Sequence, residues 1–504
     1  MIRLVKTIAD WCEERLGVGA TLGGMLRHPV PARLGWYYVF GSATLTMFML
    51  QVVTGICLAF VYVPAADEAY TSLEYLNQQQ FLGWVIRALH YFGAAGMVVL
   101  LVMHMIRVFL MGAFKYPREL TWLIGVGLLG LTLALAFTGQ VLRWDQDAYW
   151  GVGVGASMAG RVPVLGPYIV DLLLGGPTIG GETLSRFFGL HVFILPALTI
   201  TLITVHVYLV LRQGISARPK PGQLVDPQTY HEQYAAELKS GEPFFPNDFL
   251  KDAAFSGTCL LIVFTLAISL GPYGPGEPPD PTLISAEPRP DWYFLPLFAL
   301  LALCPPELEA VVMMGLPVIV GGILVLLPFV AGKGERSPRR RPVAVLTVLL
   351  VSLMLGVLGY LGDRSPWSPH MFAWSGDPIP QRIVEGLEPL ELQGGAVFQN
   401  KTCRNCHALD GIGGQRGPDL TRVATRLTRE ELIRQVIQGG GNMPAYGQQL
   451  SPAEVEALVA FLETLHPAQA GAVTGTPDLP PVTNEPAGAK QALPGAAQPS
   501  PVGD

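Results

Sequence analysis

Four histidines lie in two long apolar stretches of this 504-residue sequence, His90 and His104 in one and His191 and His206 in the other. In a helix, a separation of 14 residues ends about 40° short of four full turns, so His90 and His104 share a face. The separation of 15 positions from His191 to His206 overshoots four turns by about 60°, which is still one broad face. Each pair extends about 21 Å along its helix. Two such helices side by side present two facing histidine pairs, which is the ligand set of two stacked haems.

Glycines repeat this spacing in two further apolar stretches. Gly41 and Gly55 are 14 residues apart, and so are Gly125 and Gly139. Glycine lets a backbone approach a flat ligand closely, so each pair predicts space for both macrocycles. Because glycine is common in membrane helices, this signal has weight only beside the histidines. The alternative interpretation of the four histidines is that they form hydrogen bonds between helices. Their matched spacing makes this interpretation less favoured than haem ligation.

Three arginines flank the stretch that contains His90 and His104, namely Arg87, Arg107 and Arg118. A guanidinium forms strong hydrogen bonds with carboxylates, so these positions are candidates for binding haem propionates. Anchoring of the helix at the membrane surface explains them equally well.

A Cys-x-x-Cys-His segment begins at Cys403. It predicts a covalently bound haem c, with thioether bonds to Cys403 and Cys406 and with His407 as an axial ligand. Zinc or a disulfide would also suit a lone Cys-x-x-Cys, but the adjacent histidine, the Gly-Pro-Asp-Leu loop at 417–420 and the Asn-Met-Pro segment around Met443 favour haem. Met443 is the predicted second axial ligand, which raises the haem potential. The remaining cysteines are interpreted as small apolar residues: Cys12, Cys57, Cys259 and Cys304.

The composition indicates a membrane protein, because half of the residues are hydrophobic and only 14% are charged. Seven uncharged stretches reach the roughly 20 residues that a helix needs to cross a hydrocarbon core of about 30 Å. The predicted crossings are residues 34–66, 88–106, 120–142, 187–211, 253–276, 310–332 and 342–362. An eighth stretch, residues 292–306, is too short to cross and is predicted to lie at the membrane interface.

Lysine and arginine collect at the N-terminus and in the second-to-third and sixth-to-seventh connections. These three regions share one side if the crossings alternate, and the positive-inside rule makes that side cytoplasmic. The segment after residue 362 is then external, where haem c is attached. Residues 1–20 show no signal-peptide core and are predicted to form an interfacial amphipathic helix.

Composition divides the chain into seven predicted parts. They are a cytoplasmic amphipathic N-terminus (1–34), a four-helix di-haem core (35–216), a polar linker (217–248), a three-helix part with a proline-rich external loop (249–363), a second linker (364–388), a cytochrome c domain (389–466) and a disordered tail (467–504). The predicted fold class is an all-α membrane protein of seven transmembrane helices, with a small all-α cytochrome c domain.

Several motifs resemble the cytochrome b of bc-type complexes. They are the stretch Gly41–Gln51, the paired histidines, Lys-Tyr-Pro-Arg-Glu-Leu-Thr-Trp at 115–122 and Arg-Gln-Gly-Ile-Ser at 212–216. The 14 residues that lie between His191 and His206, the second histidine pair, are similar to the gap of the chloroplast-type branch rather than the mitochondrial one. Phe-Pro-Asn-Asp at 245–248 and the three crossings after it resemble the separate small subunit of that branch, here joined to the first half. The C-terminal segment resembles a small class I cytochrome c.

The resemblance implies two non-covalent b haems and one covalent c haem. His90 and His191 would hold the external-side b haem, and His104 and His206 the cytoplasmic-side one. Chloroplast-type relatives attach a further haem through a cysteine in the first helix, whereas Val39 stands at the matching position here. That further haem is therefore not expected.

The family's quinol-oxidation motif, Pro-Glu-Trp-Tyr, resembles the segment Pro-Asp-Trp-Tyr at 290–293. The resemblance implies a catalytic role for Asp291 and Tyr293, with a carboxylate one methylene shorter than in the family. Asp291 would accept a proton as quinol is oxidised. The alternative is a solvated loop carboxylate that pairs with Arg289, which contributes little at an exposed site.

The resemblance further implies a quinol:cytochrome c oxidoreductase in a bacterial-type plasma membrane, contributing to a proton gradient. Its expected partners are a separate Rieske iron-sulfur protein, membrane quinol, and a soluble cytochrome c or terminal oxidase, in a dimeric complex and without nucleic acid. One alternative is a di-haem membrane anchor that passes electrons between quinone and a dehydrogenase or reductase without bifurcation. Another is a transporter, which only the number of crossings favours.

Overall fold

A computed structural model of the chain describes residues 2–466, with gaps at 18, 20–22, 25, 33, 161, 177–178, 281–288, 305, 365–377, 402, 415–416, 440–442, 444–445 and 448–449. The predicted tail at 467–504 and about half of the predicted linker at 364–388 lie outside the described residues.

Seven helices in the described part of the chain are long and apolar enough to cross a membrane. The first to seventh crossings are Phe40–Ala59, Gly83–Leu110, Glu119–Val141, Gly181–Gln213, Asn247–Leu270, Pro306–Val330 and Pro342–Asp363. Large apolar side chains stay exposed along them, such as Leu349 and Leu353 in the seventh. Helices that are apolar on all sides suit lipid rather than water. The prediction of seven crossings is confirmed.

The first four crossings form a bundle to which the last three add. The first crossing packs along the second, and the third along the fourth. The fifth lies against the first two, and the sixth against the third. A buried cluster joins the first, second and fifth crossings: Ala43, Met47, Phe48, Met97, Leu100 and Val263.

The end of the bundle nearer His90, called here the His90 end, is covered by short helices. These are Ala69–Gln78, Gln146–Gly160, Gly166–Leu174 and Leu295–Leu303. The last one lies within the stretch predicted at the interface. The fifth-to-sixth connection docks on this end, where Asp145 Oδ2 accepts a 2.9 Å hydrogen bond from the Gly276 amide.

The opposite end, called the His104 end, carries the linker helix Tyr230–Lys239, where Tyr230 accepts a hydrogen bond from Arg118. A further helix, Ile2–Leu16, lies at the start of the chain. Two antiparallel strand pairs attach the linker to the segments before the first crossing and between the sixth and seventh crossings. Pro29–Val30 pairs with Glu242–Pro243, and Leu224–Val225 pairs with Gly334–Glu335. The buried Lys115 adds a hydrogen bond of 2.6 Å from its Nζ to the Lys333 carbonyl. Both halves of the chain therefore meet at this end.

The C-terminal domain contains the helices Gln381–Val384, Pro389–Asn400, Arg429–Gln438 and Pro452–Glu463, and the strand pair Ala408–Leu409 with Ile412–Gly413. Helices Pro389–Asn400 and Pro452–Glu463 cross where a Cβ at Gly394 would collide with the Ala457 carbonyl, so glycine permits the close contact. Phe398 and Phe461 fill the core beside this crossing. The predicted fold class, including this domain, is confirmed.

Candidate haem sites

His90 and His191 face each other from the second and fourth crossings. Their ring centroids are 6.3 Å apart, and the ring planes are inclined by 74°. A metal bound between two imidazoles at about 2 Å from each nitrogen would place the centroids about 6 Å apart. The structure thus brings this predicted pair together at the separation that one iron requires.

Threonines from the other two helices orient these rings. Thr54 Oγ1 lies 2.9 Å from His90 Nδ1, and Thr138 Oγ1 lies 3.0 Å from His191 Nδ1. Each threonine hydroxyl also donates to a carbonyl of its own helix, so its oxygen accepts from the imidazole. Nδ1 then carries the proton, and Nε2 keeps its lone pair for iron.

Sequence reasoning missed both threonines, although a signal exists. Each one directly precedes a predicted glycine, so the dipeptide Thr-Gly occurs at 54–55 and again at 138–139.

The four predicted glycines each pack against one of the four histidines. The distance from an added Cβ to the histidine Cε1 would be 3.2 Å for Gly55 and His90, 2.7 Å for Gly139 and His191, 3.1 Å for Gly41 and His104, and 3.6 Å for Gly125 and His206. The glycines therefore make space for the imidazole rings. The space that they were also predicted to leave for the macrocycles remains a prediction.

A π-helical turn at Leu190–Ile194 interrupts the fourth crossing at His191. A π-turn takes up about one more residue than an α-turn. It therefore absorbs the difference between the 15-residue spacing of His191 and His206 and the 14-residue spacing in the second crossing. This turn brings His191 and His206 back towards one face.

The second level of the bundle contains His104, His206 and Arg107. The Arg107 guanidinium stacks on the Tyr38 ring, with 3.7 Å between its carbon and the ring centroid. Its Nε and Nη2 atoms are buried and have no hydrogen-bond partner in the described residues. Because Arg107 follows His104 by one helical turn, these N–H groups suit a carboxylate on a haem held at this level.

Arg87 and Arg118 make several contacts with the protein itself. Arg87 Nη2 donates to the Tyr273 carbonyl at 2.7 Å, and its Nη1 donates to the Gly274 carbonyl. Arg118 donates to the Gly214 carbonyl at 3.0 Å and to the Tyr230 hydroxyl at 2.6 Å. These bonds fasten connecting segments at opposite ends of the bundle. Propionate binding by either arginine remains a prediction.

The Pro-Asp-Trp-Tyr segment docks on the third crossing. Tyr293 Oη donates a 2.6 Å hydrogen bond to Asp291 Oδ2. The Asp291 amide donates to Gln140 Oε1 at 3.4 Å, and Gln140 follows the glycine that packs on His191. Burial raises the pKa of Tyr293 far above its usual value, and the Asp291 carboxylate raises it further, so the phenol stays a donor. Through Gln140, the fold therefore brings both predicted catalytic residues to the part of the third crossing that contacts His191.

The C-terminal domain holds the elements of a haem c site. Cys403 and Cys406 are thiols that do not pair in a disulfide bond within the described residues. His407 Nδ1 lies 2.8 Å from the Pro418 carbonyl, to which it donates, so Nε2 is left for iron. Burial lowers the pKa of His407, which favours the neutral ring that binds metal. Met443 Sδ accepts a 3.5 Å hydrogen bond from Gln435, while the neighbours of Met443 at 442 and 444 lie outside the described residues.

Three family models match successive parts of the chain. "Cytochrome b/b6/petB" matches residues 25–214, "Cytochrome b(C-terminal)/b6/petD" matches residues 278–376, and "Cytochrome C oxidase, cbb3-type, subunit III" matches residues 390–462.

Similar proteins include cytochrome b6 of Auxenochlorella protothecoides, which is 41% identical over 212 residues, covering 42% of this chain and 99% of that protein. Cytochrome b6 of Tupiella akineta is 42% identical over 212 residues, with the same coverage. A solved structure titled "Hyperthermophilic respiratory Complex III" is similar with a TM-score of 0.58 and 26% identity, covering 79% of this chain and 96% of that chain.

The bundle, its paired histidines and the Cys-x-x-Cys-His domain define a multi-pass membrane cytochrome with a redox role. The chain belongs to the cytochrome b/b6 family, and it is the cytochrome b of a bc-type complex with a fused cytochrome c domain. The resemblance derived from the sequence motifs is thereby confirmed.

Proposed function

We propose that this chain is the haem-carrying core subunit of a quinol:cytochrome c oxidoreductase that oxidises quinol at the external face. The observation that carries this proposal is the position of the Asp291–Tyr293 pair. Gln140 links the pair to the end of the third crossing, directly after Gly139, which packs on His191. A proton acceptor for quinol thus lies beside a candidate electron acceptor.

The residues support three haems. His90 with His191 and His104 with His206 would ligate two non-covalent b haems, and Cys403, Cys406, His407 and Met443 would hold one covalent c haem. When bound, the b haems carry electrons across the membrane and the c haem carries them outward.

Asp291 and Tyr293 divide the work at the quinol. The Tyr293 hydroxyl occupies Asp291 Oδ2, so the other carboxylate oxygen is available to a quinol hydroxyl. Asp291 accepts the proton as the electron leaves and can release it to external water. Trp292 is 47% exposed, and its ring offers a flat apolar surface to the substrate.

The proposed setting is a bacterial-type plasma membrane with the His104 end cytoplasmic and the cytochrome c domain external. Proton release outside and uptake inside would contribute to a proton gradient. The partners would be a Rieske iron-sulfur protein, membrane quinone, and a soluble cytochrome c or terminal oxidase, within a dimeric complex.

The test is purification from native membranes, followed by quinol-dependent reduction of cytochrome c. A Rieske protein should co-purify with the chain. Bifurcation predicts that an oxidant of the c haem promotes b-haem reduction by quinol, because the two electrons leave together. A di-haem anchor without bifurcation would show b-haem reduction that is indifferent to that oxidant, which would contradict the proposal.

A further inference from the structure

Arg336 belongs to the sixth-to-seventh connection, yet its side chain reaches the first-half bundle. Its stem packs on Gly112, where an added Cβ would lie 3.1 Å from the Arg336 Cγ. Its Nη2 donates to Ser216 Oγ at 2.6 Å and to the Ala217 carbonyl at 2.7 Å. These contacts hold the guanidinium at the His104 end.

Arg336 and Arg107 lie in one continuous cluster. The Tyr38 hydroxyl donates to the Ser216 carbonyl at 2.7 Å, and Ser216 also accepts from Arg336. The ring of the same Tyr38 side chain carries the Arg107 guanidinium, which stacks on it. Two guanidinium groups, one from each half of the chain, therefore converge around Tyr38 and Ser216.

The protein offsets the charge of this cluster only in part, through the Glu237 carboxylate, which raises the pKa of Arg336. Among the described residues, neither Arg107 nor Arg336 forms an ion pair with a carboxylate, and the Nε atom of each is buried without a hydrogen-bond partner. The adjacent Glu335 carboxylate is occupied by the backbone amides of Gly222, Arg336 and Ser337. Burial lowers the pKa of Arg336 and the charge of Arg118 lowers it further. Such a cluster stabilises an anion strongly.

We propose that Arg107 and Arg336 jointly bind a propionate of the haem held by His104 and His206, so that the second half of the chain completes a haem site of the first. Arg107 follows His104 by three residues, and Tyr38 precedes Gly41, which packs on His104, by three residues. Both residues therefore lie about one turn from His104 towards the His104 end. One turn is about 5 Å, a distance that a propionate spans from a macrocycle edge. Two guanidinium groups clamp a carboxylate with charge-assisted hydrogen bonds. This inference rests on the proposed b haem at His104 and His206.

The test compares Arg336→Gln with Arg339→Gln in the full chain. Arg339 is an exposed arginine of the same connection and serves as the matched control. Haem content is measured by pyridine haemochrome, and the midpoint potentials of the b haems by equilibrium redox titration. A nearby positive charge disfavours the oxidised iron, so Arg336→Gln should lower the potential of one b haem. Arg339→Gln should leave both potentials unchanged.

Two further variants test which b haem responds and whether Arg107 and Arg336 act on the same propionate. In a His191→Leu background, which removes a ligand of the other site, the remaining b haem should still respond to Arg336→Gln. Arg107→Gln should lower the same potential, and the double variant should shift it by less than the sum of the single shifts, because the two groups share one carboxylate. If Arg336→Gln fails to assemble, Arg336→Lys keeps the charge but loses the fork, and should give a smaller downward shift.

Several outcomes would overturn this inference alone. Unchanged b-haem potentials in Arg336→Gln with full haem content would do so, as would a shift confined to the His90–His191 haem. Loss of a co-purified phospholipid without a potential shift would assign the cluster to a lipid phosphate instead. Absence of b haem from the unaltered chain would refute the proposed function itself, so the two failures are distinguishable.

Discussion

The Tyr293 hydroxyl donates a 2.6 Å hydrogen bond to Asp291 Oδ2, so two neighbouring side chains of the fifth-to-sixth connection form one unit. Gln140 accepts from the Asp291 amide and fixes the backbone of that unit against the third crossing. The carboxylate is therefore oriented before a substrate arrives, which lowers the entropic cost of proton transfer.

Asp291→Asn keeps the shape of this unit but removes the proton acceptor. We expect quinol-dependent cytochrome c reduction to fall by roughly 10²-fold or more, with unchanged haem spectra. Asp67→Asn is the control, since Asp67 is an exposed carboxylate in the connection that follows the first crossing at the His90 end. Near-normal turnover of the Asp291 variant, with a Rieske partner present, would move the proton acceptor elsewhere.

The haem content should be two b haems for each c haem. Four histidines and one Cys-x-x-Cys-His segment supply ligands for three haems, and Val39 is a buried aliphatic side chain without a thiol. Pyridine haemochrome analysis should give a b to c ratio near two. A ratio near one would indicate an additional covalent haem or a lost b site, and Cys12 and Cys57 would then be the first thiols to test.

Gly139→Ala should remove one b haem. The added Cβ would lie 2.7 Å from His191 Cε1, closer than carbon atoms pack, so the ligand ring must move. The b to c ratio should fall from about two towards one. Gly130→Ala in the same helix adds a Cβ with no neighbour within 4 Å and should leave the ratio unchanged. Full b-haem content in both variants would show that the bundle relaxes around the ring.

Met443→Ala should lower the midpoint potential of the c haem and slow electron exit, because a thioether ligand raises the potential. The b-haem potentials in the same sample serve as the internal control. Met443 also packs against the domain core. If packing is its whole role, the c-haem potential will stay where it was while the domain loses stability.

The membrane helices were predictable because lipid selects them by length and hydropathy. The predicted stretch 342–362 and the observed Pro342–Asp363 show this directly. The π-turn at Leu190–Ile194 was not predictable in this way, since a shift of hydrogen-bond partner leaves hydropathy unchanged. The spacing of 15 rather than 14 residues was its only trace.

The arginines show the limit of reasoning from position along the chain. Arg87 and Arg107 are both charges near the ends of one apolar stretch, and sequence alone treats them alike. The structure separates them, because Arg87 meets carbonyls about 190 residues away while Arg107 keeps buried N–H groups without partners in the described residues. Arg336 was interpreted only as one of the positive charges that mark the cytoplasmic side, because it lies in the distant second half of the sequence.

The two strand pairs at the His104 end connect the halves crosswise. Leu224–Val225 lies before the linker helix and pairs with Gly334–Glu335, whereas Glu242–Pro243 lies after that helix and pairs with Pro29–Val30. A chain broken between Asp226 and Thr229 would have one strand of each ladder on either fragment. The cytochrome b6 relatives match only the first half of this chain. We therefore expect the two halves to dock without covalent continuity, whose contribution is then stoichiometry, since one translation product delivers both fragments in equal number.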